Sequence, residues 1–479
     1  MDSLPFSRPR SLLFFLGAAG LCGLGAIGCG ARVDLPGAFG GDGGAGGSGG
    51  NLASSSSATG GGGSAPTPPC ADAVAATFTS TGEVDVFRAA VGPDCDTFAV
   101  GAHFGDTDFA GLGASSANDW DGFVARVDRA GNARWLLSIA SFGDGSWADS
   151  VDRVVVGEDG SAWVTAYAGE PVTLAGQSLQ GSFVLAIDPA GSIRWAAPLE
   201  VYADDLARRA DGALVFLQQD GGGLVERVLD GATGDWISTI PLATGNALLL
   251  AAVTRPEGRA LALCIEGQVN LRGHLLEATD DTPDGNGQTT CDLALVAFDA
   301  AGEVTYTRTF VEHGFRPYLT QLDLDAEGRV ALSAGFWGSI DAGLGEVSAS
   351  PIGEGMRIFA ATFDPQGQAL TSAGFGSGAL VMPTGVVRGL GGTWTLSGLL
   401  YQGSVDLGGE TFSEAEGYLG FDGTFDGGGH SLASHSRRGL QWLTRAEPGL
   451  ALSLWHSPDG VNPRVETLTR EGMPTAALE

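Results

Sequence analysis

Every position from Phe183 to Ile187 is apolar, with Phe183, Leu185 and Ile187 set against Val184 and Ala186. That pattern predicts a strand buried on one face and nearly so on the other. Asp188, Pro189, Ala190 and Gly191 follow with turn chemistry: the Asp side chain bonds its own backbone, Pro presets φ, and Gly takes φ > 0. Ile193 and Trp195 then mark a second strand. The unit is a β-hairpin with an aromatic residue to pack on the sheet.

The same grammar recurs at Phe123–Trp135, Ala294–Tyr306 and Ile358–Leu370, and in weaker form at Leu224–Trp236, Phe421–Leu432 and Val465–Gly472. Self-similarity at a long period, here roughly 60 residues, predicts a solenoid, propeller or array. A second hairpin alternates with the first, at Val154–Gly169, Leu322–Gly338 and Val386–Leu400, with degenerate copies at Val91–Gly105, Ala207–Gln219, Ala252–Gly267 and Leu443–Trp455. Two hairpins per period make about four strands, which is one propeller blade, and the set predicts about seven blades.

Five units carry an extension after the second strand, beginning at Phe104, Tyr167, Ile265, Phe336 and Tyr401, whereas the unit around Gly221–Gly223 lacks one. Each extension predicts a small extra hairpin on one rim, and repeat-specific insertions of that kind often mark a binding face. Near the start, Ala73–Gly82 reads as a detached half-blade, and Val461–Gly472 lacks a final aromatic strand. The N-terminal strand is therefore expected to complete the last blade, so that no open edge remains.

The order of these elements, best seen in DWDGFVARVDRAG (Asp119–Gly131) and EDGSAWVTAYAG (Glu158–Gly169), resembles the bacterial seven-bladed β-propeller repeat family of exported and surface lipoproteins. The resemblance spans roughly residues 75 to 470, its specificity comes from repetition, and blades at Ala207–Ile240 and Val386–His435 depart from the pattern. It implies an all-β propeller with a scaffold or interaction role, and it carries no catalytic residues.

The first residues add an address. Arg8 and Arg10 precede an apolar run from Leu12 to Ile27 that ends AIGC, with Gly28 before Cys29. The run suits a secretory signal better than a membrane span. Its end resembles the lipobox of bacterial lipoproteins, with Cys29 as the lipidated residue and Ala26 where Leu is commoner. Gly30 follows the Cys, so no inner-membrane retention signal is evident. Residues 30–69 are Gly- and Ser-rich and end in APTPP, a composition that buries no core and acts as a tether. The expected organisation is a signal peptide over 1–28, a lipidated Cys and tether over 29–69, and a propeller over 70–479.

Of six cysteines, Cys22 and Cys29 belong to the leader, leaving Cys70, Cys95, Cys264 and Cys291. Sequence proximity and blade placement favour Cys70 with Cys95 and Cys264 with Cys291, the other pairings staying open. The spacings lack the CxxC character of a zinc site. The formal net charge is −31, and all 25 basic residues are Arg. So acidic a chain is a poor partner for nucleic acid, and membrane attachment must rest on lipid.

No constellation names a reaction. Asp280, Asp281, Asp284 and Asn286, in the loop Glu277–Asp292, are hard oxygen donors of the type calcium takes. The EF-hand register fails there, so a solvated polar loop clamped by a disulfide is preferred and no cofactor is required. Asp106 and Asp108, followed by Asn118, Asp119 and Asp121, read as turn-capping groups. His103, His274, His313, His430, His435 and His456 show no ligand spacing. His435, between Ser434 and Ser436, points to the opposite face from both, so a Ser–His nucleophile–base pair is badly placed there. Trp135, Trp163, Trp195, Trp236, Trp337, Trp394, Trp442 and Trp455 fall at equivalent strand positions and read as blade packing rather than a sugar platform. The expected protein is a monomeric, lipid-anchored cell-envelope propeller, on the outer membrane facing periplasm or surface, that binds an envelope protein or glycan without catalysis. Two alternatives stand beside it: a lyase or glycan hydrolase using carboxylates at the central channel, and a purely structural envelope protein.

Overall fold

The computed structural model describes Cys70, the short strands Ala76–Thr77 and Thr79–Ser80, and most of residues 83–468. The leader, Cys29 and the tether lie outside the described residues. Among the described residues the regular structure is strand throughout, apart from one 3-10 turn at Leu390–Gly392.

Antiparallel sheets follow one another along the chain. Blade 1 comprises Glu83–Val91, Thr97–Phe104, Asp121–Val127 and Ala133–Ile139. Blade 2 comprises Ser150–Val156, Ala162–Leu174, Gln177–Ile187 and Ile193–Pro198. Blade 3 is Asp205–Arg208, Leu214–Asp220, Gly223–Leu229 and the first half of Trp236–Arg255, whose second half opens blade 4 with Gly258–Leu271, Asp292–Asp299 and Val304–Thr309. Blade 5 is Val311–Leu324, Val330–Asp341, Arg357–Phe363 and Ala369–Phe375, and blade 6 is Ser377–Arg388, Trp394–Asp406, Leu419–Phe425 and Ser431–Arg438. Leu440–Glu447, Leu450–His456 and Arg464–Leu468 make blade 7. Its fourth strand is Ala76–Thr77, with Ala76 opposite Val465 and Thr77 opposite Arg464. The expected N-terminal completion is therefore present. First strands of successive blades lie side by side, and Glu83–Val91 also lies against Leu440–Glu447.

The repeat works through its turns. Asp188 accepts from the backbone N–H of Ala190 at 2.9 Å and of Ser192 at 2.8 Å, as Asp128 does from Ala130 and Asn132. Asp299, Asp364 and Asp426 cap their turns in the same manner. Such turns need a residue at positive φ, supplied by Gly191 at 90°.

That glycine is also where the next blade is gripped. Trp135, in the last strand of blade 1, lies on the Gly191 turn of blade 2 and donates Nε1–H to the carbonyl of Pro189 at 3.1 Å. A Cβ on Gly191 would fall 2.7 Å from its indole. Trp195 covers Gly234 of blade 3, and Tyr306 covers Gly367 of blade 5. At the seam between blades 3 and 4 the pattern lapses: Arg272 donates to the Gly302 carbonyl, and Trp236 is left 43% exposed.

The extensions are not rim decoration. Their alternate residues Val172 and Leu174, Val269 and Leu271, Ile340 and Ala342, and Val405 and Leu407 are buried within the apolar clusters that join blades. Arg308 of blade 4 shows how far the blade 5 extension reaches, since one guanidinium donates to Ala342 in the extension and to Gly367 in the turn. The expected rim hairpins are thus wedges between blades, because the V-x-L alternation supplies an apolar face that the seam can bury. Where no extension was expected, Asp220 pairs directly with Gly223.

Both favoured disulfides are present, Cys70–Cys95 with Cα atoms 5.1 Å apart and Cys264–Cys291 at 5.2 Å. The first pins the N-terminal segment to the first turn of blade 1, while Thr79 and Ser80 pair with Asp108 and Thr107 of the blade 1 extension.

Two stability outcomes follow. Trp135→Ala should cost about 3–5 kcal/mol and Gly191→Ala about 1–3 kcal/mol, with the double variant losing less than the sum because both act on one contact. Urea titration checks this, and an unchanged midpoint for Gly191→Ala would refute the grip. Cys70→Ser should cost about 3 kcal/mol on the loop-closure scale, and dithiothreitol should lower the wild-type midpoint at least as far.

Candidate functional site at the first strands of the blades

Charged residues on the first strands of blades 4 to 6, and on neighbouring strands and turns, join the blades in the interior. Arg255 of blade 4 donates to Asp323 of blade 5 at 3.1 Å, and the other oxygen of Asp323 accepts the backbone N–H of Arg388 in blade 6 at 2.7 Å. Arg388, only 1% exposed, reaches back to Asp325 at 3.2 Å, which also holds Arg329 at 2.7 Å. Burial pulls the Arg388 guanidinium below its ordinary value and the Asp325 carboxylate opposes that. Between blades 3 and 4, Arg259 pairs with Glu226 and donates to Thr254 at 3.0 Å, and Thr254 donates to Asp205 at 3.1 Å. Between blades 1 and 2, Arg126 joins Asp96 at 2.7 Å to the Pro189 carbonyl at 2.8 Å. An open depression of about 500 Å³ lies there, lined by Asp94, Asp128, Arg129 and Arg134 among others. Buried pairs of this kind are costly to break singly, because the orphaned charge stays buried.

A looser group occupies the first strands of blades 1 to 3. Arg88, Asp152, Arg153, Tyr202 and Asp205 are each half-buried. Burial and the nearby Arg153 charge lower Arg88 to about 9, against the favourable fields of Tyr202, Asp152 and Asp205, so it remains a cation at neutral pH. Burial pushes the Asp152 carboxyl up, opposed by Arg153, a bond from Ser150 at 3.3 Å, Arg88 and a bond from Tyr202. Sequence reasoning missed this group, since no repeat motif places it and Tyr202 sits in a connection between blades.

The residues singled out from sequence fare differently. Asp280, Asp281, Asp284 and Asn286 lie outside the described residues, as do Asn118 and Asp119. Asp108 caps a turn, accepting from Gly111 N–H at 2.6 Å. Among the described residues no group of three or more His, Cys, Asp or Glu side chains could hold a metal. His430 bonds the Asp426 cap, and His435 meets its cross-strand partner Asp422 at 3.2 Å. Trp135, Trp163, Trp195 and Trp394 are buried, as blade packing requires.

His103 is fully buried between Phe109 and Phe123, its Nδ1 3.4 Å from the Gly105 carbonyl. Burial lowers its pKa from the ordinary 6.5, with that carbonyl opposing.

No family model matches this chain, and no curated protein matches it. Solved structures do. BamB from Moraxella catarrhalis is 13% identical over 81% of this chain and 99% of its own, with a TM-score of 0.38. An ulvan lyase of polysaccharide lyase family PL25 is 10% identical over 83% and 96%, with a TM-score of 0.43. The quinohemoprotein alcohol dehydrogenase ADHIIG from Pseudomonas putida HK5 is 10% identical over 85% and 77%, with a TM-score of 0.38. Names so varied select no chemistry, and the fold stands on the sheet topology above.

Neutral His103 has a pH consequence. The unfolded chain takes up a proton below about pH 6.5 that the folded chain resists, so stability is full above that pH and declines below it by up to about 1.4 kcal/mol per unit. The unfolding midpoint between pH 7 and 5 should fall less in His103→Phe than in wild type. Equal slopes would show that His103 does not contribute.

Proposed function

We propose that this chain is a lipid-anchored β-propeller of the bacterial cell envelope, related to exported lipoprotein propellers, that acts as a non-catalytic binding or scaffold module. The observation that carries the reading is the use of charge. Arg126, Arg255, Arg259 and Arg388 each join one blade to another, so these ionic groups serve cohesion and leave a rigid platform. The two disulfides suit an oxidising compartment, and the leader ending at Cys29 supplies the anchor.

A second reading, a propeller enzyme, is favoured by the Asp152 carboxyl, which burial raises beside Tyr202 and Arg88. Raised carboxyls next to a hydroxyl and a cation suit acid–base chemistry. Turnover of a bound ligand, abolished in Asp152→Asn, would favour it over the first.

Expression in a Gram-negative host fed tritiated palmitate tests the anchor. Wild-type protein should carry label and sediment with membranes, whereas Cys29→Ser should carry none. An unlabelled wild-type chain would overturn the lipoprotein reading.

A further inference from the structure

We propose that the Cys70–Cys95 disulfide carries tension from the segment before Cys70 past the strands that close the ring and onto the central part of the blade 1 sheet. The inference rests on the anchored reading, in which that segment is a tether to the membrane and a bound partner pulls against the anchor.

The order of attachments along the chain carries it. Ala76 and Thr77 lie opposite Val465 and Arg464 of blade 7, and Thr79 and Ser80 lie opposite Asp108 and Thr107 of the blade 1 extension. At two residues each, these pairings resist little tension applied directly to them, since a single hydrogen bond contributes so little net stability. Glu83–Val91 follows, and it lies against Leu440–Glu447 of blade 7. Cys70 precedes all three segments, and its partner Cys95 follows all three. The chain that seals this seam is therefore enclosed in one covalent loop. A pull that enters at Cys70 leaves at Cys95 through the sulfur–sulfur bond, and the loop between them is not stretched. The pull passes instead to Thr97–Phe104, which is paired along its length with Glu83–Val91 on one side and Asp121–Val127 on the other. Seven of its eight residues are buried.

Cys95 is placed for the bond rather than for the turn. In the matching turns of blades 2, 3 and 5 the positive-φ position belongs to Gly160, Gly212 and Gly328, each of which donates its N–H to the carbonyl three residues back. Cys95 makes the same bond to Gly92 at 3.0 Å and holds φ at 62°, a left-handed conformation that glycine adopts freely and a residue with a Cβ does not. Both cysteines are buried, with Val91 packed against them, which shields the bond from exchange with soluble thiols.

Optical-tweezers pulling on the full chain in detergent tests the device, with one handle at Ser64 in the tether and the other at Glu257, exposed in a turn of blade 4. Wild type should give no step before global unfolding. Cys95→Gly removes the bond and gives this turn the glycine of the other blades. It should release a step of up to about 45 Å at lower force, the reach of the chain from Cys70 to Glu83. Cys70→Ser should release the same step, and Cys264→Ser, which opens the other disulfide, should not. Backbone hydrogen exchange of the unloaded Cys95→Gly protein should still protect Ala76–Thr77 and Val465, so that closure and resistance to load are read separately. A wild-type chain that gives the step, a Cys95→Gly chain that holds to the wild-type unfolding force, or an unloaded Cys95→Gly chain already open at blade 7 overturns the proposal. The tweezers supply the load, so this result is independent of the palmitate labelling that tests the anchor.

Discussion

The fold depends on an aromatic ring lying against a turn glycine of the neighbouring blade. A ring can approach that closely only where no Cβ intervenes, and the same residue must accept the positive φ that an Asp-capped turn imposes. Glycine alone meets both demands at no steric cost. In three of the seams the turn and the aromatic strand are thus two halves of a contact made between blades, not within one. Trp135 over Gly191, Trp195 over Gly234 and Tyr306 over Gly367 are three instances of that contact.

Around this grip the seams are filled in two ways. Apolar wedges enter from the extensions, with Ile340 and Ala342 buried beside Phe310 and Phe359 as one instance. Toward the first strands the contacts become ionic, and Asp323 alone touches groups from blades 4 and 6. Apolar packing supplies most of the cohesion, and the ion pairs fix orientation, because a displaced partner would leave a charge stranded in the interior. The seam between blades 3 and 4 solves the problem differently, with one strand, Trp236–Arg255, hydrogen-bonded in both sheets. Continuous pairing there takes over from the missing aromatic contact.

Functional chemistry is confined to what the seams do not consume. One recurring use of carboxylates in this acidic sequence is the turn cap: the backbone N–H of Asn132 holds the Asp128 carboxyl below its usual value, leaving it ionised and engaged. The Arg88, Arg153 and Tyr202 group stands apart because its charges meet in a half-open position.

The sequence by itself determined the repeating unit and the turn chemistry, pointed to about seven blades, and favoured Cys70 with Cys95 and Cys264 with Cys291 while leaving other pairings open; the structure decided between them. Those features are local or recur, so period-2 alternation and Asp-x-x-Gly spacing announce them. It also carried the N-terminal strand, visible as an unmatched half-blade. Only the tertiary structure decided that the extensions fold into the seams, since an alternating V-x-L segment reads identically whether it faces a rim or a neighbour. The same holds for the meeting of Arg88, Arg153 and Tyr202. They are distant in the chain and occupy no motif, and only the side-by-side arrangement of first strands brings their charges into one field.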